Sequence, residues 1–412
     1  MIHRLEIENF YSVRDRQVID LRAAGNAPED AERLSAPWPG ASERVPKVVS
    51  LFGANASGKS NVLKALSFLA WFVRSSFKEL QPREGLPYQR FLDSDGLDRP
   101  TRLAVHFGGV EDLGGASDPR GSGVGPPCCG YAYEVSLGGA AGEPTHVLSE
   151  TLRYWPSHSS RQVKLFERSK SGEVNAGQSF RLAAGHRLAL EKVLRPNASV
   201  ISTLAQLGHP ASTVLAGMGG TVFENILVVN REFTDANAAL YFALNRPHLE
   251  KLNACLRRLD LGLRLMEVQE GTNGPLLWFV HEGLTQRLPQ GFESHGTRLF
   301  VRIFPLIVQA LEAGGVAVID EMDLAIHPLV LPEILGWFYG SQTNPHNAQL
   351  WMTCQNASLL EELIKEEIWF CEKDGQGRTS VYGLKDIRDV RRVDNYYRKY
   401  LGGVYGAVPR IG

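Results

Sequence analysis

Eight consecutive residues, Gly53-Ala54-Asn55-Ala56-Ser57-Gly58-Lys59-Ser60, match the pattern GxxxxGK[ST] in full. An apolar run precedes them, and Val62, Leu63, Leu66 and Leu69 follow at helical spacing, so the motif stands between a strand and a helix. Glycines let such a loop wrap closely, turning backbone N–H groups and a helix N-terminus toward phosphate oxygens. Lys59 would reach the β- and γ-phosphates of a nucleotide, and the Ser60 hydroxyl would bind Mg2+. Gly53, Asn55, Ala56, Ser57, Gly58, Lys59, Ser60 and Asn61 are therefore the candidate nucleotide-binding residues.

A loop of this kind needs an acidic partner at the end of a neighbouring buried strand. Gly315-Val316-Ala317-Val318-Ile319-Asp320-Glu321 supplies it, with an apolar stretch short enough for a central parallel strand. Asp320 would hold Mg2+, directly or through water, and Glu321 would polarise the attacking water as general base. A third stretch, Glu293-Ser294-His295-Gly296-Thr297-Arg298-Leu299, opens a helix with N–H groups and a hydroxyl facing outward for an anion. Taken alone it also reads as an ordinary helix start capped by Ser294 or Thr297. Within its own subunit this third motif is expected to lie far from Lys59, so it would complete a nucleotide site only across a head-to-tail dimer.

The elements that must position these groups divide into four expected parts. Residues 1–110 form the N-terminal part of a nucleotide-binding lobe, with two short strands in 2–24 and the strand, glycine-bearing loop and helix around Lys59. Residues 111–180 read as an antiparallel β subdomain, with a Gly/Pro/Ser loop in 112–130 expected to be a mobile surface loop. Residues 181–262 carry helical patterns such as HRLALEKVL and VISTLAQLG. Residues 263–412 return to strands and end in helices and a tail, with a helix expected after His327-Pro328.

Composition permits this arrangement and excludes others. The chain has 412 residues, 44 basic against 45 acidic side chains and 43% hydrophobic residues, so it can bury a core and is no polycationic coat. No apolar run approaches the roughly 18–20 residues that span a bilayer, and MIHRLEIENF lacks the apolar stretch of a signal peptide. Five cysteines, with no CxxC, speak for reduced thiols rather than a disulfide framework or a zinc site. The expected location is the cytoplasm, away from membranes.

In this order the motifs resemble those of the ABC-type head ATPases, the class that includes the SMC, RecF and OLD-like proteins. More narrowly, the sequence resembles the abortive-infection ATPases of the AbiLi/RloA type. The resemblance runs nearly end to end, through LEIENFYSVRD, GANASGKSNVLKAL, RPNASVISTLAQ, ESHGTRLF, VIDEMDLAIHP, QLWMTCQNASLL, EIWFCEKD and YLGGVYGAVP. It implies an α/β P-loop NTPase head of ABC type with an antiparallel β subdomain and an inserted helical subdomain. It implies ATP and Mg2+ as ligands, Ser294, Gly296 and Thr297 as the signature motif, Asp320 and Glu321 as Walker B and catalytic glutamate, and 324–327 as the loop that crosses the dimer.

One position departs from the family. A switch histidine is usual after the strand that follows Walker B, and aligning QLWMTCQNASLL places Gln355 there. Gln can hydrogen-bond to a γ-phosphate or a water but cannot carry positive charge. Asn356 and His346 are the nearby side chains that could substitute. The resemblance further implies a homodimer or higher oligomer held by an ATP sandwich, acting as sensor or regulator in a bacterial anti-phage system. A separate effector, a nuclease or toxin, would carry out the destruction.

Two other readings stay open at this point. The first is an ATP-gated scaffold without turnover. The second is a RecF- or SMC-like DNA-maintenance ATPase, although no coiled-coil stretch is present. For the latter, nucleic acid could meet Arg388, Arg391, Arg392, Arg398 and Lys399, interleaved with Tyr396, Tyr397 and Tyr400. A solvated basic helix face explains the same residues.

Overall fold

The computed structural model describes residues 1–25, 27, 30, 32–114, 126–140, 145–226, 228, 233–258, 262–325 and 330–409. The middle of the Gly/Pro-rich 112–130 loop and the His327-Pro328 helix start lie outside the described residues.

The strand Val48–Phe52 alternates its side chains between two apolar environments. Val49 and Leu51 face one core cluster, Val48 and Phe52 the other. Val316–Ile319, Gln349–Thr353 and Ile368–Lys373 divide in the same way, which the two-residue period of a strand dictates when both faces are covered. Among the described residues these strands build a six-stranded sheet in the order Val222–Glu224, Val316–Ile319, Gln349–Thr353, Val48–Phe52, Ile368–Lys373, Thr379–Gly383. All neighbours pair in parallel except the last, an antiparallel hairpin. The carboxyl ends of the five parallel strands thus collect at one edge, where ligands of open α/β sheets bind.

The helix Lys59–Glu79 covers one face of this sheet, burying Val62, Leu63, Leu66, Leu69 and Phe72. Each such side chain contributes about 1.5–3 kcal/mol on burial. Beyond it lies a seven-stranded antiparallel sheet among the described residues. That sheet is wider than 111–180, because Ile2–Glu8, Gln17–Asp20 and Thr101–Val110 pair into it as well. On the other face of the central sheet pack the helices Asp235–Leu244, Arg246–Arg258, His295–Ala313 and Leu331–Tyr339, over Ala317, Ile319, Leu350 and Met352.

Residues 181–262 are not helical throughout. Val222–Glu224 joins the central sheet as its edge strand, parallel to Val316–Ile319. Close backbone approach allows this: Val316 N–H donates to Thr221 O at 2.9 Å, and a Cβ on Gly315 would stand 2.2 Å from the same oxygen. The helices Val200–Gln206 and Pro210–Gly219 pack directly on the Lys59–Glu79 helix rather than forming a detached unit. Among the described residues no helix is long and apolar enough to cross a membrane. All five cysteines are free.

Candidate functional site

The loop after Val48–Phe52 adopts its shape because two glycines accept backbone angles that other residues resist. Gly53 has φ 148° and Gly58 φ 102°. Space is as demanding as torsion: a Cβ on Gly53 would lie 2.2 Å from Cys371 O, and one on Gly58 2.2 Å from Thr379 Oγ1. The hairpin Ile368–Lys373/Thr379–Gly383 therefore forms the back wall of the loop. Thr379 Oγ1 donates to Ser57 O at 2.8 Å and contacts Ser12 Oγ at 2.7 Å, which in turn accepts from Asn61 Nδ2 at 2.7 Å.

Lys59, only 7% exposed, opens the helix and folds its ammonium onto the carbonyls of Gly53 (2.8 Å) and Ala54 (3.0 Å). Burial lowers its pKa from the usual lysine value, while Cys371 and the carboxylates of Asp320 and Asp323 pull the other way. Ser60 Oγ donates to Asp320 Oδ1 at 3.1 Å across 260 residues of chain. That hydroxyl and that carboxylate converge on one point, as the donor set for a hard cation bound beside phosphates requires. Asp320 itself is pinned by Asn225, whose amide accepts Asp320 N–H (2.8 Å) and donates to Asp320 O (3.1 Å). Among the described residues no group of three His, Cys, Asp or Glu could hold a metal, so an ion here would depend on Ser60, Asp320 and phosphate oxygens.

Glu321 sits in the left-handed region with φ 54°, a conformation that costs a non-glycine residue energy and clusters at functional sites. Its N–H donates to Thr353 Oγ1 at 2.7 Å, and the same hydroxyl donates to Asp320 Oδ1. The Thr353 side chain, 1% exposed, thereby couples both acidic residues to the end of the Gln349–Thr353 strand. Two residues on, Gln355 is exposed, and its backbone N–H, like that of Asn356, donates to Asp323 Oδ2 (2.9 and 2.8 Å).

Residues 55–61, Glu321, Thr353, Gln355 and Lys373 line one cavity of about 440 Å³. The sequence-predicted groups Asn55, Ala56, Ser57, Gly58, Lys59, Ser60, Asn61, Glu321 and Gln355 are thus brought together, with Asp320 directly behind Ser60. Ser294, Gly296 and Thr297 are not among the lining residues. Ser294 caps the His295–Ala313 helix, its Oγ accepting Thr297 N–H at 3.1 Å and meeting Thr297 Oγ1 at 2.7 Å. Asn356 and His346, the other candidates for the switch role, do not line this cavity. The Asn356 side chain caps the turn at Ser358, and His346 lines a different, apolar cavity beside Gly314.

The tail packs against the phosphate-binding loop. Tyr396 and Tyr400 are buried, Tyr400 stacks on Phe370 at 5.3 Å, and its hydroxyl donates to Ala407 O. Ala407 O also accepts the N–H of Ala54, inside the phosphate-binding loop, at 3.1 Å. Arg392 is paired with buried Glu366 and Lys399 with Asp394. Burial keeps the flanking Cys371 thiol neutral, pushing its pKa up to about 12.

Ser12, Asn225, Asp323, Thr353, Lys373 and Thr379 were not foreseen in these roles. Ser12, Asp323, Thr353 and Lys373 fall within the stretches that carry the family likeness, whereas Asn225 and Thr379 fall in none of them.

The family of AAA domains described as "putative AbiEii toxin, Type IV TA system" matches residues 48–113 and 165–361, more than half of the chain and including every element of the cavity except Lys373. The chain belongs to that family. No curated protein matches the sequence. Among solved structures, the chain is similar to an SMC head bound to the C-terminal winged-helix domain of ScpA, at 10% identity and TM-score 0.46, over 93% of this chain and 97% of that one. It is also similar to the SMC head of Thermotoga maritima, at 11% identity and TM-score 0.35, over 93% and 98%. The fold of this AAA-family member is α/β, with the phosphate-binding loop and the Asp320-Glu321 motif on strands of one mainly parallel sheet.

Proposed function

We propose that the chain binds and hydrolyses Mg-ATP as an ABC-type head. In this reading it works in the cytoplasm as the sensor or regulator subunit of a bacterial anti-phage, abortive-infection system that controls a separate nuclease or toxin. The observation that carries the ATPase part is the convergence of Lys59, Ser60, Asp320, Glu321 and Gln355 at one 440 Å³ cavity. The defence part draws support from the description of the matched family and from the motifs that resemble AbiLi/RloA-type ATPases.

The residues divide the chemistry as follows. Backbone N–H groups of 55–60 and the start of the Lys59–Glu79 helix hold the β-phosphate, and the Lys59 ammonium reaches the β- and γ-oxygens. Ser60 and Asp320 would hold Mg2+, which when bound offsets phosphate charge. Glu321 accepts the proton of the attacking water. The Gln355 amide orients that water or the γ-phosphate, supplying a hydrogen bond without the charge of a histidine. Ser294, Gly296 and Thr297 stand away from the cavity of their own chain, which favours completion of each site by a second copy in a head-to-tail dimer.

Steady-state hydrolysis by the purified chain beside Glu321→Gln tests the assignment. We expect turnover that falls by about 100-fold or more in the variant, while Lys59→Ala loses ATP binding itself. A Glu321→Gln variant as fast as the unmodified chain would remove the general-base role. The neutral Gln355 favours one second reading, an ATP-gated scaffold: ATP bound tightly by both chains, with no turnover by either, would select it.

A further inference from the structure

Lys373 belongs to none of the motifs that mark the site, yet it lines the same cavity as Lys59 and Ser60. Resting on the reading of that cavity as an ATP site, we propose that Lys373 is a second phosphate-binding cation, engaging the polyphosphate from the side opposite the Gln349–Thr353 strand.

The placement follows from strand register. Ile368–Lys373 runs parallel to Val48–Phe52, with Phe370 opposite Phe52, so three residues further along both chains Lys373 draws level with the start of the phosphate-binding loop. Its neighbours fix it there. Cys371 O backs Gly53, and the cross-strand partner of Lys373, Thr379, donates to Ser57 O at 2.8 Å. Alternation along the strand turns Glu372 to the other face. Asp374, the other acid adjacent in sequence, spends one carboxylate oxygen on the N–H groups of Gln376 (2.8 Å) and Arg378 (2.9 Å). The Lys373 side chain is exposed, and among the described residues its ammonium makes no ion pair or hydrogen bond.

Charge completes the argument. Lys59 and Lys373 are the cations on the cavity wall among the described residues, and the switch position, where a histidine could carry positive charge, holds neutral Gln355. A triphosphate bound against Mg2+ and one buried, carbonyl-tethered lysine would still keep part of its charge unmatched, beside the carboxylates of Asp320 and Glu321. A mobile ammonium on a four-carbon stem suits a flexible phosphate chain as a point charge.

The test is titration of ATP, ADP and AMP, each with Mg2+, into the unmodified chain, Lys373→Ala and Lys373→Arg, with Lys59→Ala as reference. We expect Lys373→Ala to weaken ATP by about tenfold or more, to leave AMP within about twofold, and Lys373→Arg to recover most of the loss. Lys373→Ala binding ATP as tightly as the unmodified chain, or weakening ATP and AMP equally, overturns the proposal while the ATP site stands. Failure of the unmodified chain to bind ATP overturns the reading of the cavity and the proposal with it. Because Lys373 is exposed, unchanged circular dichroism of the variants is expected and keeps a folding defect apart from a binding one.

Discussion

At the scale of single residues, the site is organised by a few acceptors that serve two donors each. Asp320 Oδ1 takes the hydroxyls of Ser60 and Thr353, and Asp323 Oδ2 takes the N–H groups of Gln355 and Asn356. Asp323 lies in the short helix Met322–Ala325 that follows the acidic motif, so it ties the position of Gln355 to that of Glu321. Asp323→Ala should free the 354–356 turn without touching the phosphate-binding loop. We expect kcat to fall by about tenfold, the loss of two hydrogen bonds to a charged acceptor, with ATP affinity within about twofold. Parallel measurement of turnover and binding checks this, and an equal loss in both would place Asp323 in binding instead. Contiguity decides what the sequence made legible at this scale. The Gly53–Ser60 loop and Asp320-Glu321 act through neighbouring residues, so a linear reading finds them. Lys373, Thr379 and Asn225 reach the site only because strands distant in sequence pair side by side, and that register is invisible in a linear reading.

Among the elements, the Lys59–Glu79 helix is held at both ends by chain that no motif chemistry required. Its N-terminus leans on the Thr379 hairpin, and the loop before it on the tail at Ala407. Carbonyls of its last turn, its C-cap and the turn that follows are met by the RPNAS stretch. Arg195 donates to Phe77 O and to Leu80 O (2.8 Å), with its guanidinium 4.4 Å over the Phe77 ring. Asn197 donates to Gln81 O and Glu84 O at 2.7 and 2.8 Å while 2% exposed. This stretch was recognisable in the sequence as a point of family likeness, but its physical task became clear only from the carbonyls it meets. Asn197→Ala takes the amide donor from Glu84 O and leaves Gln81 O only the N–H of Glu84, and should cost about 2 kcal/mol of stability, read as a lower urea midpoint at unchanged slope. A midpoint equal to that of the unmodified chain would mean that water replaces the amide without loss.

For the whole molecule, the two faces of the central sheet have different tasks. One carries the Lys59–Glu79 helix and the antiparallel sheet; the other carries the His295–Ala313 helix, anchored where Arg298 and Arg302 both grip Asp235. Ser294, Gly296 and Thr297, at the start of that helix, do not line the cavity that the nucleotide would fill. A head-to-tail dimer would unite them, and that arrangement makes a quantitative prediction. Lys59→Ala disables the loop of its own chain, and Gly296→Asp places a carboxylate where the partner's phosphates would sit. Each variant alone should be inactive in hydrolysis. Mixed in equal amounts, half the dimers are mixed, and each of these keeps one intact site, built from the unaltered loop of one chain and the unaltered signature of the other. Turnover should then recover to about a quarter of that of the unmodified chain if the two sites act independently. Sites completed within one chain cannot be rescued by mixing, because every loop and signature pair would still carry a defect. A mixture no more active than its components would therefore remove the two-chain site with independent halves, and recovery near a quarter would place Ser294 and Gly296 on the nucleotide of the neighbouring chain.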